Sequence, residues 1–402
     1  MRNVLLITDH FPPEQSGASG RTFSIYKYLP LFGYNVIVLT IPVYGKLADE
    51  KNIYRIDSIY DWKKQKIFSK IFKKFISKAF GLFYINYDRY WEKCIFKSIT
   101  EIIENIDIIY STYPHSASTI ISFKLSRKYK IPLISEFRDG FLFEPVERLN
   151  PVQKFSRKIV ERKIVNHSNA IITISKNISK YFQEQYNKKE IYTVYNGYDD
   201  NDFQFLNSVK EQLSVDKTLI VHYGQINKSR YRSIKPLLIA LQRLKKDRSL
   251  NSMNFELSFI GDYNRKEIES INQYKLNDII KIYKPVDKIE GLKKIVSMYH
   301  FLFLYGVQSE TSVITNKIYE YIKLNKPIIA VCKGNEAEEI IKRTGTGEVA
   351  DFDPDSIYNI FNKYLNKQYK FSPDKEEIKK FNRKDQAKQI SEILNSVVNE
   401  IR

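Results

Sequence analysis

The chain has 402 residues, 43% of them hydrophobic, with 14 glycines and 13 prolines, which excludes a low-complexity protein and leaves room for two or three domains with separate cores. Its two cysteines, Cys94 and Cys332, lie far apart without metal-type spacing, so neither a disulfide framework nor a thiolate site is indicated and a reducing cytoplasm fits. The net charge is +19, and residues 51–100 hold twelve Lys/Arg against four Asp/Glu, so a basic surface for nucleic acid, anionic lipid or a phosphorylated substrate is expected.

The first strand is read at Val4–Thr8. Its apolar run is too short for a signal peptide or a spanning helix, and no later run reaches about eighteen apolar residues. A loop from Asp9 to Arg21 follows, then a helix over Arg21–Leu31. Gly17, Ser19 and Gly20 in that loop permit close backbone approach to a phosphate or sugar, a flexible turn being the plainer alternative. The pattern is neither GxGxxG nor GxxxxGK[ST], which disfavours a dinucleotide fold or an ATPase. A strand at Asn35–Thr40 comes next.

Residues 62–91 are basic and aromatic. At about 100° per residue, Ile67, Phe68, Ile71, Phe72 and Phe75 fill one half of a helix. Lys70, Lys73 and Lys74, with Lys63 and Lys66, fill most of the other. This pattern suits a helix lying in an anionic membrane surface, each lysine contributing on the order of 1 kcal/mol. A helix packed on a sheet with a solvated basic face is the alternative.

Strands at Asp107–Ser111 and Pro132–Phe137 flank a helix at Ser116–Lys130, and a further helix covers Val152–His167. His115 follows the first of these strands, although a lone histidine is more often structural. Glu136-Phe-Arg138-Asp139 ends the second, where open α/β sheets bind ligands; a structural Arg–Asp pair is the alternative. Strands at Ala170–Ser175 and Ile191–Tyr195 precede a loop, Asn196 to Asp216, without periodicity.

The alternation then restarts, with strands at Leu219–Tyr223, Phe255–Ile260, Ile279–Tyr283, Phe301–Tyr305, Pro327–Val331 and Glu348–Ala350. Helices are read at Ile234–Leu244, Ile289–Met298, Asn316–Leu324 and, at the end of the chain, Arg383–Ile401. Gly224 opens a turn holding Arg230, Arg232 and Lys235, whose cations suit a diphosphate or form a solvated basic loop. In the run Ser312–Val331, Lys317, Glu320 and Tyr321 stand at i, i+3, i+4 on a short helix. The carboxylate can accept from ribose hydroxyls while Lys317 and the helix dipole face phosphates; an intrahelical salt bridge is the bland reading. The acidic strings at Asp199–Asp202 and Asp351–Asp353 read as loop chemistry and require no metal.

Continuously apolar strands joined by helices indicate parallel sheets covered on both faces. The expected fold is α/β: two facing doubly wound Rossmann-like domains, residues 1–205 and 206–382, with a ligand cleft between them and a terminal helix 383–402 packing back.

Several stretches then form an ordered set spanning most of the chain. They are Phe-Pro-Pro-Glu…Gly-Ala-Ser-Gly-Arg, Glu-Phe-Arg-Asp-Gly-Phe, Ile-Thr-Ile-Ser-Lys, Val-Tyr-Asn-Gly-Tyr-Asp, Phe-Ile-Gly-Asp and Asn-Lys-Ile-Tyr-Glu-Tyr-Ile…Lys-Pro-Ile-Ile. In this order the chain resembles the retaining family 4 glycosyltransferases of GT-B fold that build bacterial surface polysaccharides. The resemblance implies a nucleotide-sugar in the C-terminal domain and the acceptor in the N-terminal one. It assigns Glu320 to the ribose and Arg232 or Arg230, with Lys235, to the diphosphate, Gly224, Lys317 and Ser312 being counted with the donor site. It brings Gly17 and its neighbours Ser19 and Gly20 to the donor phosphates and Asp139 near the transferred sugar, while Arg138 and His115 are counted as catalytic candidates from their places after the two strands. Two positions depart from the family: Ser312 stands where the first of two paired glutamates is common, and Gln225 where many members have arginine.

The activity so implied is a hexosyl-type transfer from a UDP- or GDP-sugar to a lipid-linked or glycan acceptor of O-antigen, capsule or exopolysaccharide synthesis. It would be retaining and free of metal and cofactor, with preformed cations stabilising the departing diphosphate. The enzyme would be cytoplasmic and peripherally bound to the membrane. The rivals are a sugar-nucleotide epimerase or hydrolase of like architecture and a basic nucleic-acid-binding protein. No RNP, KH or zinc signature supports the latter.

Overall fold

The computed structural model describes the chain except residues 15, 43–44, 48–49, 59–88, 115, 144–148, 188–189, 225–232, 264, 307–313 and 402. The chain forms two compact units, Met1–Asn196 with Arg383–Arg402, and Gly197–Asn382. The division at Asn196 precedes the expected boundary at 205/206, for a physical reason. The stretch read as an aperiodic loop contains a 3-10 helix, Asp200–Asn207, capped by Asp199, whose side chain accepts from the Asn201 N–H. Phe203 and Phe205 are buried there, the Tyr198 N–H donates to the Phe381 carbonyl at 3.0 Å, and Lys288 holds Asp202 at 2.7 Å. These contacts tie the segment to the second unit.

The first unit is built on seven parallel strands, β1 Arg2–Ile7, β2 Tyr34–Thr40, β3 Ile53–Arg55, β4 Ile108–Tyr113, β5 Leu133–Phe137, β6 Ala170–Thr173 and β7 Ile191–Thr193. Their order is β3-β2-β1-β4-β5-β6-β7, with Leu5 opposite Ile37 on one side and Ile109 on the other. Strands β4, β5 and β6 are buried along their whole length, including the polar Ser111, Thr112, Ser135 and Glu136, so the sheet is covered on both faces there. The helix Gly17–Tyr28 begins four residues ahead of the expected start, because the Ser16 hydroxyl caps it by accepting from the Ser19 N–H at 3.1 Å. The terminal helix Arg383–Ile401 belongs to this unit. Ala387, Ile390, Ile393, Leu394, Val397 and Val398 join Val4, Leu6, Phe11, Ile25 and Tyr34 in one core.

The second unit holds β8 Thr218–Tyr223, β9 Phe255–Ile260, β10 Ile280–Tyr283, β11 Phe301–Tyr305, β12 Ile328–Val331 and β13 Gly347–Ala350, ordered β10-β9-β8-β11-β12-β13 and all parallel. Leu237, Leu241 and Leu244 of the helix Lys235–Asp247 pack with Ile357, Phe361 and Tyr364 of the helix Pro354–Leu365 over Leu257 and Phe303. Strand order reverses between β1 and β4 in the first unit and between β8 and β11 in the second. Open α/β sheets hold ligands at the carboxyl ends of strands flanking such a reversal.

Every expected strand is present, to within two residues at either end, and β3 is an addition. The membrane-facing candidates Ile67, Phe68, Lys70, Ile71, Phe72, Lys73, Lys74 and Phe75 lie outside the described residues. Among the described residues no helix is long and apolar enough to cross a membrane, and no group of three or more His, Cys, Asp and Glu is gathered to hold a metal.

Candidate functional site

In the second unit the chain leaves β8 through Tyr223 and Gly224, at the strand reversal. Gly224 has φ +129°, a backbone that side-chain-bearing residues rarely adopt, and an added Cβ would meet Lys317 Cε at 3.2 Å. The helix Lys317–Lys323 supplies that lysine. It buries Ile318, Tyr319, Tyr321 and Ile322 and leaves Lys317 and Glu320 partly exposed, three residues apart on one face. Tyr321, expected on the same face, is instead fully buried. Its hydroxyl accepts the Tyr223 N–H at 2.7 Å and so pins the helix to the end of β8.

The Glu320 carboxylate lies between two ammonium groups, Lys317 Nζ at 3.1 Å and Lys288 Nζ at 3.2 Å. Burial alone would raise its pKa, but the two lysines outweigh burial and hold it below the ordinary glutamate value. Lys317 Nζ also lies 4.3 Å from the centre of the Tyr223 ring. Glycine, lysine and ionised carboxylate therefore meet at the carboxyl end of β8.

Lys235 is exposed at the first position of the helix Lys235–Asp247, just after Ser233, whose carbonyl accepts the hydroxyl of Tyr305 at the end of β11. Both strands at the reversal thus flank the start of that helix. Arg230, Arg232 and Ser312 lie outside the described residues. Lys288, on the helix Lys288–Met298, is the member that sequence reasoning missed. It precedes Glu320 by 32 residues, and no motif links the two.

In the first unit the expected residues separate into two kinds. Glu136 is fully buried and accepts from Arg21 Nη2 at 2.8 Å, Tyr110 at 2.8 Å and Thr112 at 3.0 Å. Burial would raise it, yet the Arg21 and Arg138 guanidiniums hold it below the ordinary value. Arg138 belongs to the same network, buried, with Nε donating to Thr112 Oγ1 at 2.8 Å.

Asp139 is different. It is only partly covered, no described side chain carries an ion pair to it, and burial pushes its pKa up to about 6 despite the pull of Arg138. The turn beyond it is tight, since a Cβ on Gly140 would fall 1.5 Å from the Phe143 carbonyl oxygen. His115 lies outside the described residues.

Beyond β1, His10 Nδ1 lies 2.9 Å from Glu14. Burial lowers the imidazole pKa, but Glu14 and Asp9 outweigh it and leave it raised. A histidine–glutamate pair at the end of β1 was not anticipated, although its spacing of four was visible. Of the glycine-rich loop, Gly17 is the first residue of its helix, and Ser19 is buried with a hydroxyl that has no hydrogen-bond partner among the described residues. Gly20 lies against Arg383, whose guanidinium donates to its carbonyl at 2.9 Å. The close neighbour there is the terminal helix.

Residues 16–202 match the family model described as Glycosyltransferase Family 4. That span lies mostly in the first unit and includes the glycine-rich loop and Asp139. No curated protein matches the chain by sequence. Among solved structures, sucrose-phosphate synthase from Thermosynechococcus elongatus superposes with TM-score 0.71 at 14% identity, with 100% of both chains covered. HepE from Anabaena, solved with UDP-glucose, gives TM-score 0.61 at 13% identity over 98% of this chain and 100% of its own. The lipopolysaccharide outer core galactosyltransferase WaaB gives 0.62 at 13% identity over 98% and 99%. The fold is therefore that of the GT-B glycosyltransferase structures, two parallel-sheet Rossmann-like domains.

Proposed function

We propose that this chain is a glycosyltransferase that moves a sugar from a UDP- or GDP-sugar to a lipid-linked or glycan acceptor of a cell-surface polysaccharide. The observation that carries the reading is the Glu320 carboxylate, kept ionised between Lys317 and Lys288 beside Gly224. Ribose presents two hydroxyl donors, and an ionised carboxylate accepts them in charge-assisted bonds. Lys317, already at the carboxylate's edge, meets the phosphates, and Lys235 with Arg230 and Arg232 adds cations from the next turn. Such fixed cations stabilise the charge that develops on the leaving diphosphate, so transfer needs no metal.

Transfer is retaining in this reading. The acceptor hydroxyl attacks from the face the diphosphate leaves, and a phosphate oxygen takes its proton. Asp139, next to the buried Arg138, orients the sugar and steadies the positive charge growing on it, and His115 is counted with them from the sequence alone. The family match over residues 16–202 supports this activity. UDP-glucose in HepE and the galactosyltransferase name of WaaB support the donor class and a surface-glycan acceptor.

Saturation-transfer NMR against a panel of UDP- and GDP-sugars tests the reading. Transfer to the ribose and sugar protons of at least one donor is expected, and silence across the panel would contradict it. Rapid consumption of the bound donor without any acceptor would favour an epimerase or hydrolase instead.

A further inference from the structure

The helix Pro151–His167 of the first unit has two apolar faces. Ile164 and Val165 are buried against the unit, but Val152, Phe155 and Ile159 point the other way. At 100° per residue those three fall within about 60° of one another. They are 49%, 67% and 40% exposed. Lys158, Arg162 and Lys163 are exposed beside them, and the one acid of the helix, Glu161, is buried beneath, where it accepts from Tyr181, Tyr186 and the Leu142 N–H. The outward face of the helix thus has an apolar centre, cationic flanks and no acid of its own. Val160, Lys163 and Ile164 of the same helix also line a cavity of about 400 Å³ with Arg89, Lys124 and Glu92, the last paired with Lys124.

Scattered exposed apolar residues need no explanation, but a row of three ringed by cations does. We propose that this face docks the first unit on an anionic lipid bilayer, with Phe155 and Ile159 entering the headgroup boundary and the three cations meeting lipid phosphates. Charge complementarity selects the occupant. A nucleic-acid backbone would use the cations but leave the apolar centre without a partner, whereas a bilayer interface uses both. The surface is built from residues outside segment 62–91, although Arg89 of that segment lines the same cavity, and the inference stands apart from the proposed activity, since it concerns neither donor nor acceptor chemistry.

The test is co-sedimentation of the full chain with phosphatidylcholine vesicles, with and without phosphatidylglycerol. Binding should require phosphatidylglycerol and weaken with salt. The F155S/I159S double substitution, at exposed positions, should lower the partition coefficient at least about tenfold while leaving the melting temperature unchanged. A F155W variant should show quenching by brominated lipid beyond that of the wild type, whose Trp62 and Trp91 set the background, a reading of insertion that does not depend on the loss of binding. Equal partition of wild type and double variant would overturn the proposal, as would an unquenched Trp at 155. Binding to duplex DNA without binding to vesicles would also overturn it and assign the face to nucleic acid. None of these results bears on donor binding.

Discussion

Two carboxylates of one tetrapeptide, Glu136 and Asp139, illustrate how burial divides residues that look alike in sequence. Glu136 points into the interior, where Arg21, Tyr110 and Thr112 satisfy it, and it is held ionised. Asp139 emerges beyond the strand with its pKa raised to about 6 by burial. A carboxyl raised in the fold binds its proton more tightly there than in the unfolded chain, so stability falls as pH rises from about 4 to about 6 and stays lowered above. Asp139→Asn should therefore match the wild type near pH 4 and exceed it at pH 8. Allowing for partial solvent exposure, the gain is on the order of 1–2 kcal/mol by urea denaturation. The same variant should lose at least about tenfold in transfer rate, because a destabilising group at a site is kept for what it does there. His10 carries the opposite sign. Its raised imidazole contributes stability that is complete below the ordinary value and is lost as pH rises through the raised one.

Among elements, the most connected residue is Arg21 of the helix Gly17–Tyr28. Its guanidinium donates to Glu136 on β5, to the Val194 and Tyr195 carbonyls beyond β7, and to Gln386 on the terminal helix. Arg21→Ala would leave the buried Glu136 without its closest cation, and a loss of about 3–5 kcal/mol is expected in denaturant unfolding. Arg21→Lys should recover only part of it, since an ammonium cannot span that set of acceptors.

The strands were most legible where burial leaves them apolar throughout, as in Phe301–Tyr305 and Ile328–Val331. The exception, β3, is three residues long at the sheet edge, with Tyr54 exposed. Ser116–Tyr129 and Pro151–His167 were legible as long uninterrupted segments of 14 and 17 residues, whereas the shorter Lys176–Tyr186, 11 residues beginning on a Ser175 cap, was missed although Ile178, Tyr181 and Phe182 share one face. The long-range partners of Arg21 were not legible, because nothing local marks residues 115 or 365 positions apart as neighbours.

For the whole molecule, the two repeats of strand and helix in the sequence become two parallel sheets whose strand orders reverse at β1/β4 and β8/β11. That topology puts Gly224, Lys317 and Glu320 together, as their motifs implied, and adds Lys288, which they did not. The central claim is that this cluster holds the nucleoside of a nucleotide-sugar, and titration calorimetry tests it most directly. The donor found by NMR should bind the wild-type chain and bind Glu320→Gln about 10- to 100-fold more weakly, the loss of charge-assisted bonds to the ribose. Lys317→Ala should weaken the nucleoside diphosphate more than the free nucleoside. Equal donor affinity in wild type and Glu320→Gln, with both chains folded, would contradict the account.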